Sequence, residues 1–235
     1  MKGIIAIDVE TTGINPEKER MIELAAVRLE TGEWFQTLIS PGRPLPGYIV
    51  ELTGITDEML YEAPKEKEAM EAFLEFLRED TILLGHNVGV DYSFLIQAIR
   101  RLGWKETKFL GIDTLKLSRS LCPQLPNKKL ETMVAHFGLT NERAHRALED
   151  AKVTADLYQC LKAMNKEPDL FEPMPLCFKA KKIEPMTKKQ RSFLNAILEY
   201  HHLEGQYQLE GLTKSEASRL ADKLLLTYGR IPYHH

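Results

Sequence analysis

The chain has 235 residues, of which 43% are hydrophobic and 28% are charged, the balance of an ordinary soluble globular protein. No apolar run approaches the roughly 18 residues that span a bilayer, so we expect no membrane segment. An acidic residue ends the apolar stretch at residues 3–8, which predicts a first strand rather than a signal peptide. The odd number and wide spacing of the cysteines argue against a disulfide framework or a zinc site and favour a cytoplasmic protein with reduced thiols; they are Cys122, Cys160 and Cys177.

The net charge of −3 conceals an asymmetry along the chain. Residues 179–235 hold ten Lys and Arg against six Asp and Glu, a net charge of +4, so the rest of the chain carries −7. An acidic body repels nucleic acid unless metal ions reverse the local field. The basic tail can contact phosphates, although a pair of ordinary solvated helices explains its charge more simply. The candidate phosphate contacts are Lys181, Lys182, Lys188, Lys189 and Arg191.

Short apolar segments predict the elements of the first half of the chain. Residues 3–8, 21–29 and 34–39 are predicted strands, and the last two are joined by a segment with the composition of a hairpin turn. Thr56 can cap a short helical turn. A second helix follows, whose apolar face carries Ala69, Phe73, Phe76 and Leu77.

The second half alternates predicted strands with predicted helices. Residues 81–85 and 109–113 are strands, Asp91 opens the helix between them, and residues 147–164 form the last helix of the body. A meander of three strands followed by this alternation predicts an α/β fold, with a mixed sheet and helices on its faces. Ligands of such sheets gather at the carboxyl ends of strands, where we expect Asp8 and Glu10 to lie.

Composition divides the chain into three parts. We predict one domain over residues 1–165, a linker over 166–186 that its four prolines keep semi-extended, and a small helical module of unknown role over 187–235. The module has two capping boxes, in which the first and fourth side chains satisfy each other's backbone amides. They begin at Thr187 and Thr213 and predict helices that run to about residues 200 and 227.

Four carboxylates have the spacing of a metal site. Asp8 and Glu10 are two residues apart on a strand, so their side chains share one face. Asp91 follows an apolar strand and Asp150 follows the start of a helix, and each alone is explained as well by a cap or a solvated charge. Four clustered carboxylates stay ionised only beside a cation, and hard divalent ions such as Mg²⁺ or Mn²⁺ prefer oxygen ligands. We therefore predict that all four bind metal.

Other polar residues surround these carboxylates in the sequence. His145 is expected in the loop before the last helix, where a neutral imidazole suits a general base, although an isolated histidine is more often a surface residue. Thr11, Thr12 and Gly13 form a turn whose N–H groups can bind a phosphate or sugar. His86 and Asn87 follow a strand, where a structural role is the alternative.

Three motifs carry a family resemblance. Asp-x-Glu-Thr-Thr-Gly begins at Asp8, Gly-His-Asn-x-x-x-Asp ends at Asp91, and His-Arg-Ala-Leu-Glu-Asp-Ala begins at His145. Over roughly residues 1–163, the length of one domain, the chain resembles the DEDDh 3′–5′ exonuclease superfamily, in particular the proofreading (epsilon) subunits of bacterial DNA polymerase III. A tyrosine four residues before Asp150 would mark the sister class, but Arg146 stands there.

The resemblance implies a ribonuclease-H-like fold and removal of nucleotides from the 3′ end of single-stranded DNA, in proofreading or repair. It implies two Mg²⁺ or Mn²⁺ ions, one activating the attacking water and one stabilising the leaving 3′ oxygen. His145 would be the general base. The implied substrate contacts, for which core packing is the alternative at Leu52 and Ile55, are Thr11, Thr12, Leu52, Ile55, His86 and Asn87.

Two other functions remain open at this point. The same site serves an RNA exonuclease or oligoribonuclease, since sugar preference depends on the pocket around a 2′-OH. An inactive nucleic-acid-binding module is the other alternative, against which the complete ligand set argues. The expected partners are a single-stranded 3′ end and a DNA polymerase or sliding clamp. Residues 190–194 resemble a clamp-binding peptide, but Phe193, Leu194 and Ile197 are better explained as the core face of a helix.

Overall fold

The computed structural model of the chain describes residues 3–164, 168–178 and 184–229. The chain divides into two compact units, Met1–Phe178 and Lys179–His235. No helix in these described ranges is long and apolar enough to cross a membrane.

A six-stranded mixed sheet is the centre of the described part of the first unit. The strands lie in the order β3-β2-β1-β4-β5-β6, with β1, β4 and β5 parallel and the remaining pairs antiparallel. This confirms the predicted α/β fold with a mixed sheet. The strands are β1 (Ile4–Thr11), β2 (Met21–Arg28), β3 (Trp34–Leu38), β4 (Ile82–Gly85), β5 (Leu110–Asp113) and β6 (Met174–Pro175).

Helices cover both faces of the sheet. They are α1 (Gly47–Thr53), α2 (Asp57–Tyr61), α3 (Glu66–Leu77), α4 (Gly89–Arg101), α5 (Thr114–Leu121), α6 (Leu130–Phe137) and α7 (Ala147–Met164). Side chains alternate along β1, so Ile5 and Ile7 enter one core with Phe94 of α4, while Ala6 enters a second core with Leu157 of α7. Both faces of β1 are therefore buried along its first half.

The local structure around the acidic motifs differs in detail from the sequence prediction. β1 continues to Thr11 because its backbone stays paired with β2 as far as a bulge between Glu10 and Thr11. The strand thus extends beyond its predicted end at residue 8 and includes Glu10 as well as Asp8. α4 begins at Gly89, so Asp91 lies in its first turn and does not cap it. The sequence prediction also missed α1 and α5.

Residues 168–178 of the predicted linker are an integral part of the first unit. Residues 168–171 form a 3₁₀ turn whose Phe171 is buried, Met174–Pro175 pair with β5, and the Leu176 N–H donates to the Phe109 carbonyl over 2.9 Å. The prediction of a linker is therefore wrong for residues 168–178. It failed because these apolar residues have neither helical nor strand periodicity and gain their partners only from distant parts of the chain.

The second unit contains α8 (Lys188–Tyr200) and α9 (Lys214–Tyr228). Both predicted capping boxes are present, at Thr187 and Thr213. Leu194 and Ile197 are buried, but Phe193 is 44% exposed, so its assignment to the core face is wrong. Of the candidate phosphate contacts, Lys181 and Lys182 lie outside the described residues.

The packing of residues 168–178 predicts a stability effect. Phe171→Ala should lower the free energy of unfolding of the first unit by about 3 kcal/mol, because it removes a buried ring that meets Tyr158 edge-on at 6.0 Å between centroids. Urea unfolding followed by tryptophan fluorescence measures this unit alone, since the two tryptophans, Trp34 and Trp104, lie in it. Met174→Ala is the matched control, since its exposed side chain should change stability by less than about 0.5 kcal/mol. Equal midpoints for both variants would contradict the packing.

Candidate active site

Four carboxylates converge at one end of the sheet. Asp8 and Glu10 lie on the face of β1 that α7 covers, Asp91 comes from the first turn of α4, and Asp150 from the first turn of α7. Glu10, Asp91 and Asp150 are each less than a tenth exposed. The structure thus brings together the four carboxylates that the sequence predicted as metal ligands.

Backbone and side-chain donors fix two of these carboxylates. The Val9 N–H of β1 donates to Asp91 Oδ1 over 3.2 Å, which ties α4 to the strand that carries Asp8 and Glu10. Asp150 accepts from Asn141 Nδ2 over 2.6 Å and from the His145 N–H over 3.0 Å. Both aspartates therefore have restricted orientations while keeping oxygen lone pairs for a further partner.

Burial and mutual repulsion raise the pKa of every carboxyl in the group. The pKa of Glu10 rises to about 8, first through burial and then through the charges of Asp150, Glu23 and Asp91. The pKa of Asp91 rises to about 7, and burial is again the largest cause. The pKa of Asp8 lies well above its usual range because of burial and the neighbouring carboxylates. Burial also raises the pKa of Asp150, against the hydrogen bonds that it accepts.

This donor set fits a divalent cation. The ligand atoms of Glu10, His145 and Asp150 lie within 4.8 Å of one another, and the charges of Asp8 and Asp91 act on the same group. Arg146 is a nearby cation that lowers the pKa of Glu10, but its guanidinium donates to Glu23 through Nε and Nη2. Carboxylate oxygens are hard ligands, and Arg146 does not bind those of Asp8, Glu10, Asp91 or Asp150 directly. Their negative charge therefore suits a hard divalent ion.

His145 lies where the sequence predicted, in the loop that precedes α7. Its backbone is left-handed, with φ of 64°, and its side chain is exposed. Its N–H is bound to Asp150, so the residue is fixed beside the carboxylates while the ring meets solvent. An exposed imidazole at this point can exchange a proton with water.

Three of the predicted substrate contacts are accessible. Leu52 on α1 is 49% exposed, and the Asn87 side chain is exposed. Asn87 has a left-handed backbone with φ of 76°, and its N–H donates to Asp113 Oδ1 over 3.0 Å. The Thr11 hydroxyl is half-buried and donates to the Gly13 carbonyl over 2.7 Å, which leaves its oxygen able to accept.

The other three predicted substrate contacts have partners inside the protein. Both ring nitrogens of His86 form hydrogen bonds within the protein, one with the Thr114 hydroxyl at 2.9 Å and one with the Lys128 carbonyl at 2.7 Å. The ring therefore links the loop after β4 to the segments that carry Thr114 and Lys128. Thr12 is buried, and its hydroxyl donates to Glu19 and accepts from the Arg20 N–H. Ile55 is fully buried in a small apolar cluster beneath α1, where core packing explains it.

Sequence reasoning missed Glu23, which faces the site from β2. Glu23 is paired with Glu10 in the strand register and is fully buried. It binds Arg146 and the N–H of Ala147, the first residue of α7. The available signal was an acidic residue inside the apolar strand Met21–Arg28, since a buried charge requires a partner.

Comparison with known proteins gives the family. The family model described as RNase_T, Exonuclease, matches residues 5–158. The chain belongs to this exonuclease family. The DNA polymerase III subunit epsilon of Aquifex aeolicus is 40% identical over 157 residues, which are 66% of this chain and 77% of that protein. The DNA polymerase III PolC-type of Pediococcus pentosaceus is 42% identical over 156 residues, which are 65% of this chain but 11% of that protein.

Solved structures agree on the fold. Escherichia coli exonuclease I in complex with a dT13 oligonucleotide has a TM-score of 0.65 at 22% identity, over 73% of this chain and 43% of that one. The nuclease domain of 3′hExo, a DEDDh family member bound to rAMP, has a TM-score of 0.59 at 21% identity, over 74% of this chain and 96% of that one. The predicted relation to exonucleases of the DNA polymerase III epsilon type is confirmed by the family model and the Aquifex aeolicus relative, and the solved structures confirm the ribonuclease-H-like fold.

The raised pKa of Glu10 predicts how pH changes the stability of the metal-free protein. Its folded-state pKa of about 8 exceeds the ordinary 4.5, so the folded state holds the proton more tightly. The stabilisation is complete below about pH 4.5 and is lost as pH rises through about 8. Glu10→Gln should therefore stabilise the protein in EDTA by on the order of 1–2 kcal/mol near pH 8.5, and hardly at all near pH 4.

Thermal unfolding at the two pH values measures this difference. Glu51→Gln is the matched control, because Glu51 is an exposed glutamate on α1. A Glu10→Gln effect of the same size at both pH values would show that Glu10 is not under electrostatic strain.

Proposed function

We propose that this protein is a divalent-metal-dependent 3′–5′ exonuclease that removes nucleotides from single-stranded DNA. The observation that carries the proposal is the convergence of Asp8, Glu10, Asp91 and Asp150, all with raised pKa, beside the exposed His145. A family that hydrolyses nucleic acids supplies the reaction class, and the four carboxylates supply a place for Mg²⁺ or Mn²⁺.

Each residue of the site has a proposed task. Asp8, Glu10, Asp91 and Asp150 hold the cations, which when bound polarise the phosphate and lower the pKa of water. The His145 imidazole accepts the proton of the attacking water, and its contact with Asp150 through the backbone keeps the ring at the edge of the site. The hydrogen bonds from Val9 and Asn141 keep Asp91 and Asp150 oriented before substrate arrives.

The proposed substrate and partner follow from the relatives. The Aquifex aeolicus relative is a subunit of DNA polymerase III, and Escherichia coli exonuclease I binds a dT13 oligonucleotide. We extend both to this chain as a DNA substrate and work alongside a DNA polymerase. A sliding clamp lacks such support, because residues 190–194 lie within α8 and Leu194 is buried. At the surface, Leu52, Thr11 and Asn87 are the proposed contacts to the terminal nucleotide.

The proposal predicts the products of digestion. A 5′-labelled single-stranded DNA should shorten stepwise from its 3′ end with Mg²⁺ or Mn²⁺ and stay intact with EDTA, because the carboxylates need the cation. Asp8→Ala should abolish the ladder. Asp156→Asn should leave it unchanged, since Asp156 is an exposed aspartate on α7, the helix of Asp150.

A matched RNA of the same sequence tests the sugar preference. Faster shortening of RNA would replace the DNA proposal with an exoribonuclease that uses the same residues. Metal-independent shortening, or an intact substrate of both kinds, would overturn the proposed function and leave a nucleic-acid-binding module.

His145 should matter for turnover and not for metal. His145→Ala should lower kcat by about 100- to 10,000-fold, the usual size of a general-base contribution. The affinity for Mn²⁺ in a calorimetric titration should stay the same. His136→Ala, at an exposed histidine on α6, is the control for turnover. Loss of Mn²⁺ binding in His145→Ala would instead make His145 a metal ligand, which its position among the ligand atoms of Glu10 and Asp150 allows.

A further inference from the structure

Glu23 is a buried acid that the proposed reaction does not use. It lies on β2 directly opposite Glu10 of β1, and facing residues of an antiparallel pair share one side of the sheet. A fifth carboxylate beside four others increases their repulsion, and its charge is among the causes that raise the pKa of Asp8, Glu10 and Asp150. The contacts of Glu23 must therefore stabilise the structure enough to offset this repulsion.

The partners of Glu23 show what it holds. Oε2 accepts from Arg146 Nε over 3.1 Å and from the Ala147 N–H over 3.0 Å. Oε1 accepts from Arg146 Nη2 over 2.8 Å and from Gln36 Nε2 over 2.6 Å. The carboxylate is thus fully hydrogen-bonded, with a two-armed ion pair and a helix N-terminus, both of which stabilise negative charge.

These contacts fix the segment that supplies two site residues. Ala147 begins α7, and the Asp150 N–H donates to the Arg146 carbonyl over 3.0 Å. His145 precedes Arg146, and its N–H donates to the Asp150 carboxylate. Since Arg146 lies between His145 and the helix, anchoring its guanidinium on β2 sets where both His145 and Asp150 lie relative to Glu10 on β1.

We propose that Glu23, Arg146 and Gln36 form a clamp that positions His145 and Asp150 for metal binding and catalysis. The three residues are positioning residues, because they act through the start of α7. Arg146 is suited to this task since its planar guanidinium fixes an angle as well as a distance, which a lysine does not. The inference rests on the proposed metal site for its Mn²⁺ readout and on the proposed exonuclease activity for its kinetic readout.

The deciding variant is Arg146→Lys in the full chain. It keeps the positive charge and removes the two-armed geometry, so it separates positioning from simple charge compensation. Arg100→Lys is the matched control, because Arg100 makes a similar pair with Glu106 that is exposed. Glu23→Gln is the second variant, since its amide turns a donor toward the Arg146 guanidinium and the Ala147 N–H, which only donate.

Two measurements test the clamp. Calorimetric titration with Mn²⁺ alone should show an affinity reduced by about 10- to 100-fold in Arg146→Lys, the usual effect of removing a residue that orients metal ligands. On single-stranded DNA, kcat should fall by a similar factor of about 10- to 100-fold while KM changes far less. Arg100→Lys should match the parent protein in both.

The outcomes separate the clamp from the proposed function. An Arg146→Lys protein with the parent Mn²⁺ affinity, or with losses that only follow the unfolded fraction seen by tryptophan fluorescence, would overturn the clamp. A parent protein that binds Mn²⁺ but leaves DNA intact would overturn the proposed function, and the Mn²⁺ titrations would still decide the clamp. Faster amide exchange at Ala147 in Glu23→Gln would support it, and unchanged exchange would count against it.

Discussion

The structure depends on holding four carboxyl groups together before any cation binds. Each carboxylate is carried by an element whose position is fixed by something else: β1 is paired on both sides, and α4 and α7 are packed into the two apolar cores. Asp91 and Asp150 also occupy first turns, where the partial positive charge of the helix N-terminus favours an acid. The fold thus keeps the four carboxyl side chains in place, and their burial and mutual repulsion raise their pKa values.

The placement of Arg146 follows from the same constraint. A guanidinium in direct contact with the four carboxylates would neutralise them and compete with a metal ion. Behind them, on Glu23, it lowers the pKa of Glu10 without occupying the oxygens that a cation needs. The acid Glu23 therefore keeps the arginine at the right distance, and its burial is tolerated because each of its oxygens accepts two hydrogen bonds.

Sequence reasoning succeeded where the signal is local. Alternation along a strand placed Asp8 and Glu10 on one face, and the capping boxes at Thr187 and Thr213 predicted two helix starts. It failed where the burial of a residue depends on partners that are distant in the sequence. In sequence, Thr12 belongs to a turn and Ile55 is explained by substrate contact or by core packing, and only the packing of Arg20, Glu19 and α1 around them shows that both are buried.

Long separation also hid the ion pair behind the site. Glu23 and Arg146 are 123 residues apart, and nothing in the motif that contains Arg146 points to Glu23. The same holds for Phe171, whose ring meets Tyr158 on α7, and for Leu176, whose N–H donates to the Phe109 carbonyl just before β5. Neither contact can be predicted from a proline-rich segment. Local patterns can state that a buried charge or an isolated apolar residue needs a partner, but only the folded chain shows which partner it has.

Backbone strain lies at the site for a related reason. Among the described residues with positive φ other than glycine, Asn87 and His145 both stand in loops that lead into α4 and α7. A left-handed residue other than glycine costs roughly 1–2 kcal/mol, so something must hold it there. At His145 the Asp150 carboxylate accepts the N–H and the Glu23–Arg146 pair fixes the next residue, and together these offset the strain. The turn thus places the histidine ring close to the carboxylates of Asp150 and Glu10.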